Sequence, residues 1–266
     1  MNIGIIGYGS MGKMLLDKFD ESNSYTLYVS NRNIEKLNNI DKSINVCKTN
    51  SELASKVDII ILCVRPIDFK DVLNDIKDVV KKDSIIISLN GSVTFNTLSG
   101  LINHKIAKVI PSVTAEINKS QTLICFNDKM NENDKTKVVD LFKTIGSTII
   151  LDEKEMSMGS ELVSCMPGFI ASIFDCLCTE AKKHTALSDE EIAKMVLNTV
   201  NFTSELMIKN NMTFSEVVNR VATKGGITEE GTKVIYEQFP STAELVFKNT
   251  LKKRKETSEK IEKMIG

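Results

Sequence analysis

Apolar and polar positions alternate in two different rhythms along this chain, and the change comes near residue 152. Before it, short apolar runs at 2–6, 25–30, 44–47, 58–64, 84–89, 106–111, 121–126 and 147–151 read as strands. Segments with helical spacing lie between several of them, for instance Phe69 to Val80 and Asn133 to Thr144. The runs Ile59-Ile60-Ile61-Leu62 and Ile85-Ile86-Ile87 are apolar at every position. A strand with no polar face belongs to a sheet covered on both sides, which points to a mostly parallel sheet. After Asp152 the period-2 signal ends, and 155–184, 189–209, 213–222, 229–238 and 241–264 carry helical spacing. The pattern predicts an α/β domain over 1–151 and an all-helical domain over 152–266.

The first strand ends in Gly7-Tyr8-Gly9-Ser10-Met11-Gly12 and passes into an apolar helix start, Met14-Leu15-Leu16. Strand, glycine turn and helix in that order form a dinucleotide-binding fingerprint of the Rossmann type. Gly7 makes the tight turn and Gly9 lets the backbone approach a pyrophosphate. Gly12 lets helix and strand pack closely, and the helix amides at Ser10 and Met11 face the phosphates. In such a sheet ligands bind beyond the carboxyl ends of the strands. The tips to watch are therefore 7–12, 30–32, 63–66, 90–92 and 111–114.

The end of the second strand chooses between NAD and NADP. An NAD site places a carboxylate there for the ribose hydroxyls. Between Tyr25 and Ile34 this chain has none and carries Ser30, Asn31 and Arg32. A guanidinium grips a phosphate in two-pronged fashion, so NADP(H) is the expected cofactor.

Composition narrows the class. A formal net charge of −1 gives no pull toward nucleic acid. The basic run Lys252-Lys253-Arg254-Lys255 is followed by Glu256, Glu259 and Glu262, the pattern of a solvated helix face. The longest purely apolar run, Ile59 to Val64, is too short for a bilayer, and the first strand begins at once without a leader. No membrane association is expected. Six cysteines without CxxC spacing read as reduced thiols and a cytoplasmic protein. His104 and His184 are far apart in sequence, and no metal site is expected.

Three features of the helical half stand out. Val163 to Ala181 is apolar nearly all round, and a helix of that kind must be covered. A second subunit is the natural cover, so a homodimer is expected. Pro167-Gly168 within that run marks a break or kink. Thr223-Lys224-Gly225-Gly226-Ile227-Thr228 joins two helices. It is either a donor-rich turn able to hold a small carboxylate or a plain helix–helix turn with Thr228 as N-cap.

The chain resembles the pyrroline-5-carboxylate reductases over nearly its full length. The matching elements come in family order: the glycine turn, Ser30-Asn31-Arg32, Cys63-Val64-Arg65-Pro66, Ser92-Val93-Thr94, Val109-Ile110-Pro111, Leu151-Asp152-Glu153-Lys154, Pro167-Gly168-Phe169 and the 223–228 turn. The resemblance implies an NADPH domain followed by a helical dimerisation domain, often within a larger ring of dimers. It also implies reduction of the cyclic imine pyrroline-5-carboxylate to L-proline, with Val64, Arg65 and Pro66 beside the cofactor. By carry-over, the Gly225 and Gly226 amides and the Thr223 hydroxyl bind the substrate carboxylate. Thr228 sits by the imine nitrogen as the catalytic residue.

The chain departs from the family pattern at Ser164 and Met166, where the family has small residues, and at Ser112, where it has asparagine. Lys224 adds a cation in the place of a proline. The Pro-Ser-Val-Thr and Ser-Cys-x-Pro-x-Phe variants are similar to the late-competence, ComER-like branch. An accessory or regulatory NADP-binding paralogue, or a reductase of another small imine, therefore stands as the alternative. A β-hydroxyacid dehydrogenase shares the fingerprint but places a lysine in its first interdomain helix, and Glu155 to Glu180 contains none.

Overall fold

The computed structural model describes residues 1–265 of the 266. The strands are β1 (Asn2–Ile6), β2 (Thr26–Ser30), β3 (Asn45–Val46), β4 (Ile59–Leu62), β5 (Ile85–Ser88), β6 (Ile106–Ile110), β7 (Ser120–Phe126) and β8 (Gly146–Ile150). They form one sheet in the order β3-β2-β1-β4-β5-β6-β7-β8. Each apolar run of the first half is a strand. The order reverses at β1, whose neighbours are β2 and β4, so the glycine turn sits at the switch point where open α/β sheets bind ligands.

Five helices that alternate with the strands pack on the sheet: α1 (Ser10–Glu21), α2 (Asn50–Lys56), α3 (Phe69–Ile76), α4 (Phe95–Leu101) and α5 (Glu132–Lys143), and Ile261 and Ile265 near the chain's end join them. Successive strand residues point to opposite faces. Ile59 and Ile61 join Leu15, Phe19 and Phe142 in one buried cluster. Ile60 and Leu62 join Leu53, Phe69, Leu73 and Leu98 in another. The unbroken apolar strands thus follow from helices on both faces. The antiparallel pair is β6–β7. Its link is a short 3-10 turn, Val113–Ile117, closed by Asn118 at φ 55°, which leaves no length for a crossover.

The second half comprises α6 (Met156–Ser160), a π-helical turn at Glu161–Cys165, α7 (Met166–Lys182), α8 (Asp189–Asn210), α9 (Phe214–Val221) and α10 (Ile227–Ile265). Capping boxes open α8 (Ser188 with Glu191) and α9 (Thr213 with Glu216), as their S/T-x-x-E spelling dictates. The break expected at Pro167 is the π turn just before it, an insertion that absorbs the crowding a proline imposes on the preceding turn.

The two helices expected at 229–238 and 241–264 are instead one, α10, with Pro240 inside it. Proline removes one ladder bond, but a long helix retains its remaining bonds on either side. The Ser241 hydroxyl donates to the Gln238 carbonyl at 2.9 Å beside the gap.

Packing divides the chain into Met1–Cys165 with Leu251 onward as one unit, and Met166–Thr250 as another. The sequence boundary lay at 152. The chain stays with the sheet for longer because Met156 and Val163 pack on Ile110, Leu123 and Cys125. In the second unit, α7 has no buried residue among those described, and Ile170, Ile173 and Leu177 are exposed. The helical stretch 153–182 is long and apolar enough, by length and composition alone, to cross a membrane. Its apolar positions are interrupted by Ser164, Pro167, Gly168, Ser172 and Asp175, which is why no consecutive apolar run marks it.

Candidate active site

At the carboxyl edge of the sheet, Gly7 adopts φ 102° and donates its amide to the Ser30 carbonyl at 2.9 Å. That conformation suits glycine, and a side chain here would also meet the Cys63 carbonyl. A side chain at Gly12 would drive into the Gly7 carbonyl oxygen. Gly9 differs: beyond its chain neighbours, no described heavy atom lies within 4 Å of where its Cβ would stand. It is also the N-cap of α1 and supplies no side-chain cap, and the first turn carries no acidic residue. The α1 amides at Ser10, Met11 and Gly12 therefore lack a side-chain cap, and no acidic residue covers the positive end of the helix. That is a cradle a phosphate fills.

The second strand's end is organised differently from what its letters imply. Ser30 is buried, with its hydroxyl 2.9 Å from Asn50 Oδ1. Asn31 Oδ1 accepts the Tyr8 amide at 3.0 Å, and Asn31 Nδ2 donates to the Asn33 carbonyl at 2.8 Å. Both side chains are engaged in building the loop. Arg32 alone of the three reaches out, 84% exposed, with Nη1 3.4 Å from Asp68 Oδ1.

Arg65 stands beside it, with Nε donating to Asp68 Oδ2 at 2.9 Å and Nη2 to Oδ1 at 3.3 Å. Pro66 opens the 3-10 turn that carries Asp68, and Val64 packs against Gly7. Arg65, and Arg32 less strongly, hold the Asp68 carboxyl below the usual range against a smaller opposing effect of burial. A cleft of 600 Å³ joins Gly9, Arg32 and Arg65 with Lys36, Lys48 and Thr49. Sequence reasoning missed Asp68, Lys36 and Lys48. The Arg-x-x-Asp spacing of Arg65 and Asp68 was the available signal for the first.

The residues present fit an NADP-type dinucleotide: an open, uncapped helix start for the pyrophosphate, and two arginines in place of the ribose-binding carboxylate.

The 223–228 turn lies in the second unit. Gly225 adopts φ 74°, and its amide donates to Glu229 Oε2 at 2.7 Å. The Gly226 amide donates to the Thr223 carbonyl at 2.8 Å. A carboxylate thus already sits on one of the two amides singled out for a substrate carboxylate, and it belongs to the chain itself. Because α10 begins at Ile227, Thr228 lies in its first turn and is not the N-cap; its side chain is exposed.

The remaining candidates for proton or nucleophile chemistry are engaged or inert. His104 is buried, its Nδ1 accepts the Lys105 amide at 2.9 Å, and Nε2 lies 3.1 Å from the Lys81 carbonyl. Burial pushes its pKa down. Burial pushes the Cys63 thiol far up. Among the described residues no group of three or more His, Cys, Asp or Glu side chains is placed to hold a metal ion.

Comparison with known proteins bears on both halves. Residues 2–91 match a family model described as NADP oxidoreductase, coenzyme F420-dependent. Residues 153–257 match one described as pyrroline-5-carboxylate reductase dimerisation. Pyrroline-5-carboxylate reductase 3 of Bacillus subtilis (strain 168) is 30% identical over 267 residues, covering 98% of each chain. This chain belongs to the pyrroline-5-carboxylate reductase family. Nearly as similar is ComE operon protein 4 of the same organism, 29% identical over 269 residues and covering 99% of this chain and 98% of the relative. Among solved structures, Plasmodium falciparum pyrroline carboxylate reductase with NADP bound superposes with a TM-score of 0.83. It is 24% identical and covers 98% of each chain. That likeness establishes a shared fold across the reductase family.

Proposed function

We propose that this chain is an NADPH-dependent reductase of a cyclic imine, pyrroline-5-carboxylate, yielding L-proline. The observation that carries the cofactor half is the open α1 start beside Arg32 and Arg65, with no carboxylate at the end of β2. Ser10, Met11 and Gly12 hold the pyrophosphate through their amides, and Arg32 grips the 2′-phosphate. Ser30 and Asn31 act behind them by shaping the loop, while Val64 and Pro66 wall the cofactor.

The bound cofactor supplies the hydride. A protonated imine is already electrophilic, so the chain's task is to orient it more than to activate it. Gly225, Gly226 and the Thr223 hydroxyl hold the substrate carboxylate after Glu229 swings away from the Gly225 amide and the Gly226 amide leaves the Thr223 carbonyl. The Thr228 hydroxyl then holds the proton at the imine nitrogen.

The protein works as a homodimer, with the exposed apolar faces of α7 and α8 covered by a second copy, and dimers assemble further into a ring. Membership of a family with a dimerisation domain favours a protein cover over lipid for 153–182. We place it in the cytoplasm, where its six free cysteines stay reduced.

A second reading is that of an accessory paralogue, favoured by Glu229 on the substrate amide and by Met166 in place of a small residue. The deciding experiment follows NADPH oxidation with pyrroline-5-carboxylate and assays proline independently. Substrate-dependent turnover with proline formed supports the reductase. Protein that binds NADPH without turning over selects the second reading.

A further inference from the structure

An ion pair between a buried carboxylate and a partly exposed guanidinium lies at the carboxyl edge of the sheet, where the basic run 252–255 reads by sequence as a solvated helix face. Glu161, in the π turn, is 1% exposed, and Arg254, near the end of α10, reaches it across 93 residues of sequence. Arg254 Nε and Nη2 both donate to the same oxygen, Oε1, at 2.9 and 2.7 Å. Nη2 also lies 3.1 Å from Ser160 Oγ and 3.6 Å from Cys165 Sγ. Glu161 Oε2 is buried without a hydrogen-bond partner among the described residues. Arg254 Nη1 makes no hydrogen bond among them either.

A buried carboxylate with one oxygen left unpartnered is a poor device for stability, because its desolvation offsets what the bonds at the other oxygen return. Its geometry suits another task. With Nε and Nη2 anchored, the planar guanidinium cannot rotate, and Nη1 is aimed in a fixed direction.

That direction is informative. Nη1 lies 3.6 Å from where a Cβ at Gly91 would stand, and the Ile110 side chain lies 2.8 Å from the same point. Gly91 follows the carboxyl end of β5, and Ile110 ends β6. The strand order runs β1-β4-β5-β6, so β5 lies two strand spacings, about 10 Å, from the pyrophosphate turn on the same edge. The adenine side of the cleft lies the other way, over β2. The nicotinamide end of a dinucleotide laid across β1 therefore extends toward β5.

We propose that Arg254, held by Glu161, donates through Nη1 to the carboxamide oxygen of the nicotinamide and so fixes the ring for hydride transfer. Arg254 is the group that touches the cofactor; Glu161 is a positioning residue. This rests on the NADPH reading above.

The test compares full-length wild type, Arg254→Met, Arg254→Lys and Glu161→Gln by direct binding of NADPH and of adenosine 2′,5′-bisphosphate, which lacks the nicotinamide. Wild type that binds the fragment and NADPH establishes the cofactor reading; failure to bind either removes that reading and this one with it. The expected result is about a tenfold weaker Kd for NADPH in both Arg254 variants, with the fragment's Kd unchanged. Glu161→Gln moves NADPH affinity the same way by a smaller factor. With deuterium at the transferred position of NADPH, the isotope effect on kcat rises in the Arg254 variants, as it does when the ring is misaligned. Arg254→Lys keeps the buried charge paired and serves if Arg254→Met does not fold. Equal losses for NADPH and the fragment mean a structural role and overturn the proposal. So does an unchanged NADPH Kd with a raised KM for the imine, which assigns the guanidinium to the substrate carboxylate.

Discussion

Asn31 Oδ1 accepts the amide of Tyr8 at 3.0 Å, and so ties the tip of β2 to the middle of the glycine turn. The contact spans 23 residues and fixes the distance between the two loops proposed to hold the cofactor. Asn31→Ala removes the acceptor from a half-buried amide, an expected loss of about 1–2 kcal/mol in urea denaturation. NADPH and NADH should weaken by equal factors, because the pyrophosphate turn serves both. A loss confined to NADPH instead assigns Asn31 to the 2′-phosphate.

Arg32 should read that phosphate. Arg32→Ala is expected to raise the KM for NADPH at least tenfold, the scale of one charge-assisted two-pronged contact, and to leave that for NADH within about twofold. Equal effects remove Arg32 from the cofactor's recognition.

Asp68 pairs with both arginines of the proposed phosphate site. Arg65 holds its carboxyl below the ordinary Asp value of about 3.9. A depressed folded pKa means that the pairing is fully present above the unfolded value and is lost as pH falls through the lower, folded one. The NADPH-to-NADH preference should therefore show no inflection from Asp68 between about pH 5 and 8. Asp68→Asn should shift that preference toward NADPH by a few-fold, since Arg32 and Arg65 then lose their competing carboxylate. A preference shifted toward NADH shows that Asp68 is needed to hold the arginines in place.

The strands were legible because β4 and β5 are buried on both faces, so burial writes itself as an unbroken apolar run. The roles of Ser30, Asn31 and Arg32 were not legible. Three adjacent polar letters look alike, yet two point into the protein and one outward, and only the packing of Asn50 and Tyr8 decides which. Proline misled at Pro240, where the local rule against helix lost to the length of α10. The Glu161–Arg254 pair was invisible for a simpler reason: its partners lie 93 residues apart, and Arg254 sits in a run of cations that reads as solvated.

Glu229 occupies the Gly225 amide at 2.7 Å. If the turn receives the substrate carboxylate, that internal carboxylate competes with it. Glu229→Gln keeps the length of the side chain and removes its charge. The KM for pyrroline-5-carboxylate should fall several-fold with the KM for NADPH unchanged. A rise in the imine KM shows instead that Glu229 shapes the turn for binding. Thr228→Ala should lower kcat and leave NADPH affinity as it was.

The apolar surface of α7 makes the last prediction. Ile173 is 37% exposed and Leu177 is 55% exposed in the single chain, on a helix with no buried residue among those described. A patch of this kind is stable in water only when covered. If a second copy covers it, Ile173→Asp buries an unpaired charge at the interface, which costs several kcal/mol and exceeds what most interfaces tolerate at one position. Sedimentation should then find wild type as a dimer or a multiple of dimers, and the variant shifted to monomer. The sheet unit does not depend on that contact for its core, so the monomeric variant should still bind adenosine 2′,5′-bisphosphate while losing turnover. A variant that stays dimeric and active places the interface elsewhere on the helical unit, away from α7.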